Sequence, residues 1–178
     1  MIQPYLQFPL CVLSAVKDVR RGVNDIILFA CVDIGKKRWE TFSADERRGL
    51  RSALPSTSFC QCSIDPTSDE QMEALVGCEY LQIRALNVKL MLARHAWLSR
   101  FIKEFEEKHG TDARVRIRKD WVFEVRDNRG MSYHEFAVLA AIYSKIGASQ
   151  RPVPITREEI WWRALGYKSQ KRLQSRRS

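Results

Sequence analysis

The feature that most constrains the fold is a helical pattern from Glu79 to His109, which contains neither proline nor glycine. At a rise of about 1.5 Å per residue, a helix of this length spans roughly 45 Å. Its apolar residues cover more than half of the helix circumference, which is typical of a helix buried on several sides. We therefore predict one long helix around which the N-terminal helices pack, with Gly110 as its C-cap.

Shorter helices are predicted from apolar periodicity and from capping signatures, in which Ser or Thr is followed three residues later by Glu. Helix-ending glycines and the loop rich in Ser and Thr between Pro55 and Pro66 set their limits. The expected helices run from Phe8 to about residue 16, from Val23 to near Gly35, from Ser43 to about Leu54, from Thr67 to Val76, and from Ser132 to Ile146.

The hydrophobic period changes after Gly110. Arg114–Arg118 and Trp121–Arg126 alternate between apolar and polar residues, which predicts two short strands joined near Lys119 into a β-hairpin. Arg114, Arg116 and Arg118 then share one face of the first strand. These arginines either follow a phosphate backbone or form a solvated face that pairs with Glu124.

The fold class expected from these elements is mainly α. Residues 1–110 are predicted to form a helical bundle around the one long helix. Residues 111–178 are predicted to form a basic unit that consists of a small β-hairpin followed by helices. The length of 178 residues is sufficient for one domain or for two small ones.

Positive charge is concentrated in the last third of the chain. The formal net charge is +9, and residues 113–178 contain 15 Lys and Arg against 6 Asp and Glu. A basic segment of this kind attracts polyanions by Coulomb attraction and counterion release, and nucleic acid is the commonest such partner. An anionic membrane or an acidic protein would satisfy the same physics.

The C-terminal sequence predicts two helices separated by a tight turn. Thr156 and Glu159 form a capping-box signature, so a helix is expected from Arg157, and Gly166 is placed to end it. A second helix rich in Lys, Arg and Gln then begins at Tyr167. This stretch resembles the helix-turn-helix superfamily, including its winged-helix-like members, whose second helix lies in the DNA major groove.

The resemblance implies specific roles for the basic and polar residues of this segment. It implies a groove-facing side of the second helix and a set of phosphate contacts that fix register without reading sequence. The alternative from the residues themselves is a three-helix packing unit with a solvated basic face. The candidate nucleic-acid-binding residues are Lys168, Lys171, Arg172, Gln174 and Ser175 toward the groove, Arg157, Arg176 and Arg177 at phosphates, and Arg114, Arg116 and Arg118 on the strand.

Signatures of catalysis and of metal binding are sparse. The five cysteines are odd in number and irregular in spacing, and the close pair Cys60 and Cys62 has no histidine near it in sequence. There is no glycine-flanked serine elbow and no glycine-rich phosphate loop. We therefore expect no catalytic residue, metal or cofactor, and free thiols in a reducing, cytoplasmic environment. The longest unbroken apolar run, Ile26–Val32, is too short for a membrane span.

The function expected from the sequence is non-catalytic binding of nucleic acid, with duplex DNA favoured, through a basic C-terminal helix. The rival is a protein-interaction adaptor or inhibitor, of the kind found in phages and mobile elements, that engages an acidic partner or a nucleoprotein complex. A thiol- or metal-dependent enzyme is a third class. Binding to naked duplex DNA separates the first class from the second.

Overall fold

The structure is a computed structural model that describes residues 5–15, 19–57, 62–85, 87–146, 154 and 156. Over these residues the chain is mainly helical and contains one small two-stranded antiparallel sheet, which confirms the predicted fold class. Two short 3-10 segments, Leu10–Ser14 and Leu54–Ser56, connect longer elements. The helices and strands are β1 (Tyr5–Pro9), α1 (Val19–Thr41), α2 (Ala44–Ala53), α3 (Asp69–Leu81), α4 (Val88–His109), β2 (Arg114–Arg118), α5 (Lys119–Arg126) and α6 (Tyr133–Ile146).

The chain divides into two compact units. One comprises the described residues of 28–99, and the other comprises those of 1–27 and 100–178. We call them the helical unit and the sheet unit. The division falls within α1 and within α4, so each of these helices contributes residues to both units.

The core of the helical unit is built around Trp39, which is 2% exposed. The indole packs in a cluster with Leu54, Met72, Leu75 and Val76, which brings together residues from α1, α3 and the segment after α2. Burial of side chains this large is the dominant favourable contribution to folding. Burial of this cluster therefore stabilises the packing of α1, α3 and the segment after α2 against one another.

Within the helical unit, α1 and α3 approach closely at two glycines. A Cβ atom on Gly35 would lie 1.9 Å from the carbonyl oxygen of Glu73, and one on Gly77 would lie 1.9 Å from that of Cys31. The predictions that Gly35 ends one helix and Gly77 another are therefore wrong. Both glycines lie inside helices, where the missing side chain permits backbone contact.

The predicted continuous helix from Glu79 to His109 is also interrupted. α3 ends at Leu81 because Gln82 adopts a left-handed conformation with φ of 54°. The amide of Ile83 donates to the Cys78 carbonyl oxygen at 2.8 Å, which closes a Schellman motif. α4 then begins at Val88, and the side chain of Asn87 accepts a hydrogen bond from the Leu90 amide at 3.1 Å.

Several predicted helix ends are confirmed. Ser43 and Glu46 form a reciprocal capping box at the start of α2, and the Ser132 and Glu135 pair makes the same two hydrogen bonds at α6. Gly110 follows the last residue of α4 with φ of +81°. These signals depend on residues close in sequence, so the surrounding fold does not override them.

The sheet unit contains a pairing between residues far apart in sequence. β1 and β2 run antiparallel, with Gln7 opposite Arg116 and Phe8 opposite Val115. The first predicted helix is therefore partly wrong, because Tyr5–Pro9 is extended and the following Leu10–Ser14 is a 3-10 segment. The amide of Cys11 also donates to a carboxylate oxygen of Asp112 at 2.6 Å, which fixes the chain that follows β1 beside the chain that precedes β2.

The predicted strand over Trp121–Arg126 is wrong, because these residues belong to the helix α5. Val122 and Val125 are buried three residues apart, which is the spacing of one helix face, whereas in a strand they would point to opposite faces. Asp120 lies in the first turn, where a carboxylate interacts favourably with the helix dipole. The place predicted for this strand beside β2 is taken by β1.

The two predicted C-terminal helices, from Arg157 and from Tyr167, lie outside the described residues. The candidate residues of this segment are likewise not described: Arg157, Lys168, Lys171, Arg172, Gln174, Ser175, Arg176 and Arg177.

Two leucines of α4 provide a matched test of burial. Leu98 is fully buried, whereas Leu90 is 67% exposed. We expect Leu98→Ala to lower the free energy of unfolding by about 2–5 kcal/mol through lost burial and a residual cavity. Leu90→Ala is expected to change it by less than about 0.5 kcal/mol. Urea unfolding of the two variants, compared at equal m-value, measures both changes in the free energy of unfolding. Equal losses of stability in the two variants would contradict the assigned core.

Candidate nucleic-acid interface

The sheet of the sheet unit has one buried face and one exposed face, because side chains alternate along each strand. Leu6, Phe8, Val115 and Ile117 form the inner face and are each at most 1% exposed. The opposite side chains form what we call the outer face: Tyr5, Gln7, Arg114, Arg116 and Arg118. The prediction that the three arginines share one face of a strand is thus confirmed.

Arg114 and Arg118 each form an ion pair. Arg114 lies 3.1 Å from a carboxylate oxygen of Glu106, which also accepts a hydrogen bond from the Asp112 amide. Arg118 donates two hydrogen bonds to Asp120, at 3.0 and 2.5 Å. These bonds raise the pKa of Arg118 and hold the pKa of Asp120 below its usual value. Glu124, the partner considered from the sequence, forms no ion pair with them.

Arg116 differs from its two neighbours. Its guanidinium carbon lies 4.5 Å from the centroid of the Tyr5 ring. Among the described residues, no carboxylate lies within ion-pair distance of it. A guanidinium over an aromatic face is a cation–π contact, which leaves the full positive charge available to an anionic ligand. Arg116 is therefore the arginine of the outer face whose charge is not locally balanced.

A second group of basic and aromatic side chains lies on α5. Phe123 is flanked by Lys119 and Arg126, at 5.2 and 4.2 Å from the ring centroid. Trp121 lies 5.8 Å from the Arg118 guanidinium and makes an edge contact with Tyr143. Since α5 follows β2 directly, the basic and aromatic residues of α5 come immediately after the arginines of β2 in the chain.

The sequence did not single out Tyr5 and Gln7 as members of this surface. They come next to the arginines only because β1 pairs with β2 across more than 100 residues of intervening chain. A signal was present, since Tyr5-Leu6-Gln7-Phe8 alternates in the manner of a half-buried strand. However, the helical pattern that begins at Phe8 overlaps this alternation and predicts a helix there instead.

The described cysteines offer little support for thiol chemistry. Cys11, Cys31 and Cys78 are free thiols, and the sulfur atoms of Cys31 and Cys78 lie 3.4 Å apart in the interior of the helical unit. Burial and the nearby Asp112 carboxylate raise the pKa of the Cys11 thiol, and the hydrogen bond with Cys78 together with burial raises the pKa of Cys31. A raised pKa disfavours the reactive thiolate.

The described part of the chain contains no group of three or more His, Cys, Asp or Glu side chains that could hold a metal ion. None of its helices combines the length and the apolar character needed to cross a membrane.

Comparison with family models, with curated proteins and with solved structures finds no match to this chain.

Proposed function

We propose that this chain is a non-catalytic, cytoplasmic nucleic-acid-binding protein that engages duplex DNA through the basic residues of its last third. The observation that carries the proposal is the position of the positive charge. Residues 113–146 contain seven Lys and Arg against four Asp and Glu, and residues 147–178 contain eight against two. Phosphate neutralisation by clustered Lys and Arg supplies most of the affinity of non-specific DNA binding.

The outer face supports the proposal from within the sheet unit. Its three arginines are held at regular strand spacing above a rigid buried face of Leu6, Phe8, Val115 and Ile117. The ion pairs of Arg114 and Arg118 have side chains that are 45% and 43% exposed, and ion pairs in water are weak. A phosphate group is therefore able to replace Glu106 or Asp120 as the partner of these guanidinium groups.

The rival function, a protein-interaction adaptor or inhibitor, is supported by a different observation. Leu90 and Trp97 lie seven residues apart on one face of α4, and they are 67% and 37% exposed. A helix face with exposed large apolar side chains is able to contribute to a protein-binding surface.

Fluorescence anisotropy with labelled duplex DNA distinguishes the two functions. If the proposal holds, the intact protein binds mixed-sequence duplex with a Kd of about 10⁻⁴–10⁻⁶ M at physiological salt. Polyglutamate competes far less well than unlabelled DNA, because its carboxylates do not reproduce the phosphate spacing of a duplex. Absence of duplex binding even at about 50 mM salt would reject the proposal and favour the adaptor.

A further inference from the structure

We propose that the outer face binds a single-stranded segment of DNA, with a nucleobase stacked on the Arg116–Tyr5 pair. This inference rests on the proposed function and deepens it, because it assigns a strand state and a contact mode to one surface. Phosphate contacts to the arginines of the outer face are common to duplex and single-stranded DNA, whereas the stacking contact requires an unpaired base.

The Arg116–Tyr5 pair has the chemistry of a base-stacking site. Tyr5 is 40% exposed, and Arg116 is exposed above it. Unpaired bases stack on aromatic rings and on guanidinium planes alike, and every base presents a suitable π-face. Because the guanidinium lies over the ring, a base stacked on the outer side of Arg116 would continue a stack that Tyr5 supports from below.

The neighbouring residues suit a sugar–phosphate backbone. Arg114 and Arg118 flank Arg116 at about 6.6 Å along the strand, since each lies two residues away. Gln7 lies opposite Arg116 in the register and is exposed, so its amide is placed to hydrogen-bond a base edge. The outer face therefore presents phosphate ligands on both sides of the stacking position.

A single strand fits this arrangement better than a duplex does. In a duplex, the faces of the bases are covered by their stacked neighbours, so an exposed Tyr5 ring would meet only the backbone. An unpaired strand can turn a base onto the ring while its phosphates contact the arginines. The positive charge of Arg116 attracts both duplex and single-stranded DNA. The exposed Tyr5 ring favours single-stranded DNA, because only an unpaired base can stack there.

Substitutions at Tyr5 test the stacking contact. We expect Tyr5→Ala to weaken binding of a labelled oligothymidylate about 5- to 150-fold, the range measured for loss of one base–aromatic stack. Affinity for a mixed-sequence duplex is expected to change less than about twofold. Tyr5→Phe retains the ring and is expected to bind both probes as the unchanged protein does. Circular dichroism verifies that each variant retains its helical content.

Substitutions at Arg116 separate stacking from charge. Arg116→Lys keeps the charge but loses the planar group, so oligothymidylate affinity should fall at every salt concentration while the salt dependence stays the same. Arg116→Gln should additionally flatten the slope of log affinity against log salt by about 0.7, the value for one phosphate contact in a single strand. The control is Arg48→Gln, which removes one exposed, ion-paired charge from α2 of the helical unit and should leave binding unchanged.

The outcomes separate this inference from the proposed function. If the intact protein binds duplex DNA but Tyr5→Ala and Arg116→Lys bind oligothymidylate normally, the outer face is not the stacking site, although the proposed function stands. If Tyr5→Ala and Arg116→Lys weaken duplex and single-strand binding equally, stacking of an unpaired base on the outer face is also rejected. Tighter binding of oligouridylate than of oligothymidylate would overturn the choice of DNA. If the intact protein binds no nucleic acid, both proposals fail together.

Discussion

Replacing Gly35 by alanine is expected to lower the free energy of unfolding by about 3 kcal/mol or more. The added Cβ would lie 1.9 Å from the carbonyl oxygen of Glu73 and 2.8 Å from the amide nitrogen of Gly77. Both atoms are backbone atoms of α3, so relief of the clash requires the two helices to move apart. That movement would also loosen the adjacent core cluster around Trp39 and Met72.

Gly77→Ala is expected to have a similar effect, because its Cβ would lie 1.9 Å from the carbonyl oxygen of Cys31. Gly49→Ala is the matched control. Gly49 lies within α2 and has no atom within 4 Å of the position of an added Cβ. There the higher helix propensity of alanine should stabilise the protein by about 0.5–1 kcal/mol. Urea unfolding compares the three, and a stabilising effect of Gly35→Ala would contradict the close approach of α1 and α3.

Features of the fold that depend on neighbouring residues were predictable from the sequence. The capping boxes at Ser43 and Ser132 and the C-cap at Gly110 each involve groups within a few residues. Hydrophobic periodicity also located most of the helical content correctly. These signals reflect local hydrogen bonding and amphipathic burial, which act whatever the tertiary context.

Features that depend on distant residues were not predictable in the same way. Gly35 and Gly77 are conventional helix-ending residues, but each lies mid-helix because the other helix occupies the space of its side chain. Gln82 ends α3 in a left-handed conformation that glycine or asparagine adopts far more often. The segment Trp121–Arg126 alternates in part as a strand does, but it buries Val122 and Val125 at helical spacing.

In the candidate site, too, local features were predictable from the sequence and contacts between distant residues were not. Alternation in Arg114–Arg118 correctly placed three arginines on one face. The sequence did not show that Glu106 and Asp120 neutralise two of them, or that Tyr5 lies beneath the third. Those contacts require the pairing of β1 with β2 and the turn from α4 into β2.

The second large effect is expected at the predicted C-terminal helix. The double variant Lys171→Glu/Arg172→Glu should weaken duplex DNA binding about 100-fold near 0.1 M salt, since each lost phosphate contact costs roughly one order of magnitude there. Lys37→Glu/Arg48→Glu is the control, because it makes the same change in net charge at exposed positions of the helical unit. Equal losses in the two double variants would mean that net charge alone, and not this helix, governs binding.

The salt dependence of duplex binding tests the central claim most directly. If the last third of the chain contacts four or five phosphates, log affinity should fall linearly with log salt with a slope near −4, at about 0.9 per phosphate. Deletion of residues 167–178 removes five Lys and Arg and should abolish measurable binding above about 50 mM salt. An unchanged slope and affinity after this deletion, or a lack of binding by the intact protein, would contradict the claim.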